Sequence, residues 1–162
     1  MKHLYIILLI LPLILCGQRS YHKEYDKNGQ LMSEEMREGR HLRLLKLYYE
    51  NGQLMSEENY KDGEQEGLSK FYYENGQLEE EGNYKNDKKE GLWKLYYENG
   101  QLKKEVTYKD GEQEGLWKSY SETDQLMSEG TFKEGREEGL CKFYHKNGEL
   151  RWVMNFVNGR IN

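Results

Sequence analysis

Apolar and polar side chains alternate in short runs along most of this chain, and successive runs are separated by Asn-Gly or a close variant of it. Leu92-Trp93-Lys94-Leu95-Tyr96-Tyr97 and Leu102-Lys103-Lys104-Glu105-Val106-Thr107-Tyr108, on either side of Asn99-Gly100, carry the pattern in full. A period of two marks a half-buried strand. Asn-Gly between two such runs predicts a hairpin closed by a two-residue type I′ turn, because that turn needs positive φ at both central residues. With Asn99 and Gly100 as the turn, Tyr97 faces Leu102, Tyr96 faces Lys103, Leu95 faces Lys104 and Lys94 faces Glu105. One side of the hairpin then receives Trp93, Leu95, Tyr97, Leu102, Val106 and Tyr108 and is expected to be buried. The other receives Leu92, Lys94, Tyr96, Lys103, Glu105 and Thr107 and is expected to be mixed and wet. The same arithmetic pairs Lys46 with Glu57, Lys70 with Glu81 and Lys118 with Glu129, all opposite in charge, which supports the register.

The hairpin recurs. Tyr-Tyr-Glu-Asn-Gly-Gln-Leu stands intact at Tyr48 to Leu54, Tyr72 to Leu78 and Tyr96 to Leu102, and units begin at Leu42, Glu66, Glu90, Glu114 and Glu138 with a period of 24 residues. An eroded copy, Tyr25 to Gly39, precedes them. A fixed period in this range marks a repeat array, in which each unit buries its apolar side only by lying beside its neighbours. The expected architecture is all-β, an elongated single-layer antiparallel meander of stacked β-hairpins. Its repeats fall at about 21–41, 42–65, 66–89, 90–113, 114–137 and 138–161, within a domain of residues 17–162. The connection between units, such as Tyr108 to Gly115, carries glycines four residues apart and is expected to be the longer turn. Thr123-Asp124 stands where other copies have Asn-Gly, and a β-branched residue is poorly suited to positive φ, so a different turn or a local weak point is expected there.

Composition alone would point elsewhere, since the chain is 33% charged and only 36% hydrophobic. The repeat explains this, because the apolar residues are concentrated as Tyr, Trp, Phe and Leu at fixed places, whereas disordered chains are poor in aromatics. The formal net charge is −5, with both signs interleaved throughout. No basic patch is available for phosphate, so nucleic acid is not an expected partner.

The N-terminus is a separate object. Met1-Lys2-His3 is a short positive head, followed by twelve apolar residues, Leu4 to Leu15, and then an abrupt return of polarity at Cys16-Gly17-Gln18. That run is too short to span a bilayer, which takes roughly 20 residues, and suits a secretory signal peptide, expected to be helical. Leu13-Ile14-Leu15-Cys16 resembles the lipobox of bacterial lipoprotein signals, apart from Leu15 where the family prefers a small residue. The resemblance implies that residues 1–16 are a signal, that Cys16 carries a lipid, and that the protein is exported and membrane-attached at the cell envelope. An uncleaved signal anchor is the alternative.

The spacing Tyr-x-x-Gly-x-x-x-Gly-Leu-Trp-Lys-x-Tyr-Tyr-x-Asn-Gly-Gln-Leu runs from Tyr84 to Leu102, with Asp87 at the first Gly, and starts again at Tyr108. It resembles the variant MORN repeat, and the chain is similar to bacterial YwqK-type antitoxin-like MORN proteins over about residues 21 to 162. The resemblance implies a twisted sheet of stacked hairpins serving as an interaction scaffold. No Gly-rich phosphate loop with its Lys and no catalytic Asp-containing loop supports a kinase reading. The functional expectation is a non-enzymatic, lipid-anchored scaffold that binds a protein partner, with no small-molecule substrate and no cofactor. An antitoxin-like or immunity-like protein that neutralises a toxin through the same surface is the alternative.

Candidate sites are few. His3, His22, His41 and His145 fall at unrelated repeat positions, so no metal site is expected. Cys141 stands where other copies have Trp93, Trp117 or Ser69, and an inert packed thiol is expected there. The acidic turns Asp62 to Glu66 and Asp110 to Glu114 lack the alternating oxygen ligands of a calcium loop. The aromatic rows remain. Trp93, Trp117, Tyr49, Tyr73 and Tyr97 are expected to form a ladder on one face, with Tyr48, Tyr72, Tyr96, Tyr120 and Tyr144 on the other. One sheet layer cannot cover both its faces, so the first row is the candidate partner-binding surface.

Overall fold

The computed structural model describes residues 18–162. Cys16 and the expected signal helix lie outside the described residues. The strands are β1 (Arg19–Tyr25), β2 (Leu31–Glu38), β3 (His41–Tyr48), β4 (Leu54–Lys61), β5 (Glu64–Tyr72), β6 (Leu78–Lys85) and β7 (Lys88–Tyr96). They continue as β8 (Leu102–Lys109), β9 (Glu112–Tyr120), β10 (Leu126–Lys133), β11 (Arg136–Glu137), β12 (Gly139–Tyr144), β13 (Leu150–Val157) and β14 (Arg160–Ile161). All belong to one open antiparallel sheet in which the strands follow in chain order, and the described residues contain no helix. Six hairpins stand side by side with their tips along one edge: β1–β2, β3–β4, β5–β6, β7–β8, β9–β10 and β12–β13.

The central register agrees with the charge pattern. Lys46 faces Glu57, Lys70 faces Glu81, Lys94 faces Glu105 and Lys118 faces Glu129. The pairing also continues between hairpins, with Glu57 opposite Lys70, Glu81 opposite Lys94, Glu105 opposite Lys118 and Glu129 opposite Lys142. One alternating row of charge thus crosses the sheet. A slip of two residues anywhere would break the alternation, so the row specifies register although each pair contributes only about 0.2–1 kcal/mol.

The turns differ from expectation, and the two kinds are exchanged. At a tip, Tyr97 N–H donates to the Gln101 carbonyl (2.8 Å) and Gly100 N–H donates to the Tyr97 carbonyl (2.8 Å). This closes a three-residue loop with Gly100 left-handed at φ 83°, while Asn99 keeps negative φ. The two-residue turns with positive φ at both positions are instead the connections between hairpins, such as Asp110 (51°) and Gly111 (88°). The glycine four residues further on, Gly115, relieves a bulge where the register shifts between Val106 and Tyr108. Thr123-Asp124 does not alter its turn. Ser121 N–H and Asp124 N–H make the same two backbone bonds, and Asp124, not Thr123, takes the left-handed position at φ 60°.

A second bulge sits one step inside each tip. Leu95 faces Lys104 as expected, but Tyr96 faces Leu102, because Lys103 is the extra residue. Leu102 therefore shares a side with Tyr96, not with Trp93 and Tyr97.

The buried side holds a core one row deep. Trp93, Val106, Trp117, Cys141 and Phe156 are buried, with Phe71, Tyr84, Leu95, Tyr108, Phe132, Phe143 and Met154 packed around them. Large and small residues succeed one another along the row. A Cβ on Gly82 would fall 2.2 Å from the Trp93 ring, and one on Gly130 would fall 2.5 Å from Cys141 Sγ. In both places the neighbouring side chain lies directly over the backbone of the adjacent strand. Tyr84 meets Trp93 edge-on at 5.0 Å between centroids, and Lys89 Nζ caps the ring at 3.9 Å. Where Ser69 replaces the Trp, the strand beside it carries Glu58 where Gly82 lies beside Trp93. That buried carboxylate accepts bonds from Ser56 Oγ (2.9 Å), Tyr60 Oη (3.0 Å) and Gln65 Nε2 (2.5 Å). Replacing Gly82 with Ala should lower stability by about 1–3 kcal/mol, the usual cost of overpacking. Urea denaturation checks this, and an unchanged midpoint would mean that Trp93 moves aside freely.

Candidate interaction surface

The repeated Tyr-Tyr-Glu-Asn-Gly-Gln-Leu is a clasp between neighbouring hairpins. Its second tyrosine reaches forward: Tyr49, Tyr73 and Tyr97 donate their hydroxyls to the carbonyls of Tyr72, Tyr96 and Tyr120 at 2.6, 2.8 and 2.8 Å. The asparagine does the same beside it, with Asn51, Asn75 and Asn99 donating to the carbonyls of Glu74, Glu98 and Glu122 at 2.7, 3.0 and 3.1 Å. Its Oδ1 meanwhile accepts from the backbone N–H of the following Gln, 2.9 Å in all three tips. The first tyrosine reaches backward on the other face. Tyr48, Tyr96, Tyr120 and Tyr144 donate to Glu34, Glu81, Glu105 and Glu129 of the preceding hairpin, at 2.9, 3.0, 3.3 and 2.7 Å.

These phenols are held protonated. Burial, and then donation to Glu34 or Glu81, pushes Tyr48 and Tyr96 up to about 12. The carboxylates move the opposite way. Glu34 is lowered by Lys23 and then Tyr48, and Glu129 by Tyr144 and then Lys142.

The candidate residues divide into two groups. Trp93 and Trp117 are 0% and 7% exposed, so their rings form the interior of the sheet. Tyr49, Tyr73 and Tyr97 line the tip edge, half-buried, with their hydroxyls engaged in the clasp. The structure therefore does not gather the five into one exposed ladder. Cys141 is a free, fully buried thiol, raised by burial above the usual thiol range. Among the described residues, no group of three or more His, Cys, Asp or Glu side chains could hold a metal ion.

A repeated exposed apolar feature lies on the face expected to be wet. Leu68, Leu92, Leu116 and Leu140, one from each Glu-Gly-Leu, are 42%, 48%, 68% and 63% exposed. Each faces a polar residue across the hairpin, namely Asn83, Thr107, Thr131 and Asn155. Between Leu116 and Leu140 lies a shallow hollow of 320 Å³, bordered by Thr131, Lys118, Glu129 and Lys142. The sequence signal for this row was present in the Gly-Leu pairs, and alternation put Leu92 on this side. What pattern reading missed is that nothing in the sheet covers it.

The family described as MORN repeat variant matches residues 21–37, 44–62, 65–86, 89–110, 113–134 and 137–158, most of the chain. No curated protein sequence matches it.

A phenol whose folded pKa is raised stabilises the fold fully below its unfolded value near 10, and that contribution is lost as pH rises through the folded value. Stability should hold to about pH 10 and decline between about 10 and 12, where Tyr48 and Tyr96 ionise beside carboxylates. Urea titrations across that window check it, and Tyr96→Phe should make the decline shallower.

Proposed function

The chain belongs to the MORN repeat variant family, whose members are generally non-enzymatic and serve protein or membrane interaction, and from this we propose a non-enzymatic scaffold that binds a protein partner at the cell envelope. A lipid on Cys16 is the proposed attachment to the membrane, resting on the lipobox-like Leu13 to Cys16 and the apolar run before it. The observation that carries the interaction reading is the leucine row of Leu68, Leu92, Leu116 and Leu140, exposed at one place in each of four successive repeats while the core aromatic residues are engaged with one another. Apolar side chains set at a fixed spacing, flanked by an alternating charged row, offer a partner both burial and orientation. The tyrosine row at the tips supplies an amphipathic rim on the opposite face. Trp93 and Trp117, buried in the core, contribute by holding the hairpins together beneath those surfaces, not by touching the partner.

The test uses the full chain with Leu92, Leu116 and Leu140 all changed to Ser. The variant should keep its melting temperature, since these side chains are exposed, and lose the envelope proteins that wild type captures. Equal capture by both would sink the leucine face as the contact. In the same cells, a palmitate analogue should label wild type and not Cys16→Ser, and equal labelling would refute the anchor.

A further inference from the structure

One joint in the array lacks the forward half of its clasp, keeping only the backward bond from Tyr144 to Glu129 (2.7 Å). The second, third and fourth hairpins each hold the next through a tyrosine hydroxyl and an asparagine amide, and the first holds the second through Gln30 Nε2 on the Tyr49 (3.1 Å) and Glu50 carbonyls. In the fifth hairpin the clasp positions are Ser121 and Thr123. Their hydroxyls bond each other at 2.9 Å, and Ser121 Oγ also accepts from Thr123 N–H (3.3 Å) and Gln125 N–H (3.2 Å). The tip is thereby closed on itself. Among the described residues, no side chain of the fifth tip makes a hydrogen bond to the sixth. The Gln125 amide rests over Gly148, as Gln53 does over Gly76.

Two further features fall on the same joint. The ladder from β10 to its neighbour is divided between β11 and β12, and only Ser128–Phe143 and Glu129–Lys142 pair between β10 and β12. The corresponding stretch pairs three positions between β8 and β9, Lys104–Ser119, Glu105–Lys118 and Val106–Trp117, and two between β6 and β7, Glu80–Leu95 and Glu81–Lys94. There the partner strand is continuous, whereas here it is broken at Glu138. The core position is also reduced, since Cys141 occupies the place of a Trp. The opposite edge, by contrast, is laced as elsewhere. Gly135 N–H donates to the Gln113 carbonyl (3.0 Å) and Gly159 N–H to the Glu137 carbonyl (2.9 Å), while Glu114 and Glu138 accept from Glu134 N–H and Asn158 N–H, both at 2.8 Å.

An edge laced through backbone bonds and a tip edge held only by Tyr144 and Lys142 on Glu129 define a pivot. We propose that the joint between β10 and β12 is a hinge: the fifth and sixth tips part while the chain turns about Glu134-Gly135, and residues 139–161 move as a unit apart from residues 19–133. The hinge follows from the tip geometry and does not depend on the proposed function. It does bear on the leucine face, because Leu116 and Leu140 belong to different sides of it and border one hollow. Opening the joint separates those two walls, so anything seated between them favours the closed arrangement.

Hydrogen exchange on the full chain tests the hinge, with two variants that separate it from ordinary fraying of an end. Ser121→Tyr with Thr123→Asn restores the clasp and should slow exchange in β12 and β13 by roughly tenfold, leaving β3 to β8 unchanged. Tyr97→Ser with Asn99→Thr moves the defect one joint back. It should speed exchange in β9, β10, β12 and β13 together while β3 to β6 hold. If the repaired variant exchanges like wild type, or the transplanted defect raises exchange evenly along the chain, the hinge is refuted.

Discussion

A sheet of one layer has no second layer to bury it, and this constraint governs the whole molecule. The only apolar surface available to a given strand is the strand beside it, so Trp93 lies flat over the Gly82 backbone and Tyr84 and Tyr108 close around its ring. The glycine is required by that contact, since a ring cannot approach a neighbouring strand through a Cβ. At the same position of the preceding hairpin, Ser69 stands between Glu58 on one side and Gly82 on the other. The pairs are alternative ways of filling the same volume, one apolar and one polar with a carboxylate given three donors.

The same constraint explains why the repeated motif sits at the tips. Strand centres are held by ladder bonds and by packing, but a hairpin tip has neither and would fray. Tyr-Tyr-x-Asn ties each tip to its neighbours in both directions, forward through Tyr97 and Asn99 and backward through Tyr96. With the motif tyrosines and with Trp93 and Trp117 committed to neighbours, the leucine of each Glu-Gly-Leu is the apolar group that the central repeats leave exposed. Structure and interaction are thus divided between residue types within one unit.

The hairpin order, the buried side at the strand centres and the register were legible because charge and hydrophobicity repeat together. Lys94 opposite Glu105 could be read from the sequence since the sign of the charge reports the pairing. The turns were not legible, because Asn and Gly at a tip are compatible with two loops. Type I′ uses Asn for its tolerance of positive φ, while the three-residue loop uses its side chain as an acceptor for Gln101 N–H. Leu102 was misassigned for a related reason: strict alternation assumes no extra residue, and the bulge at Lys103 inverts everything between it and the tip. The proposed interaction surface was half legible. Composition identified the aromatic rows, but whether a ring is exposed depends on its neighbours' glycines, which a single unit does not disclose.

Arrays of this kind are stable approximately as a sum of unit terms and nearest-neighbour terms, so a change in one copy is felt mainly at its own joint. This permits divergence that a compact core would not tolerate. Ser69 can stand at the Trp position, between Glu58 and Gly82, and the third and fourth hairpins remain paired beside it. A tip can lose Tyr and Asn to Ser121 and Thr123 and still close as a turn, because its own backbone bonds are unchanged. The loss then appears between units instead of within one. Position along the array decides its effect: a weakened joint near an end frees a short segment, whereas the same loss at the centre would cut the sheet into two pieces, each with fewer neighbours to bury its aromatic side. The departures from the motif therefore carry mechanical meaning that the motif itself, being the same at every regular joint, does not.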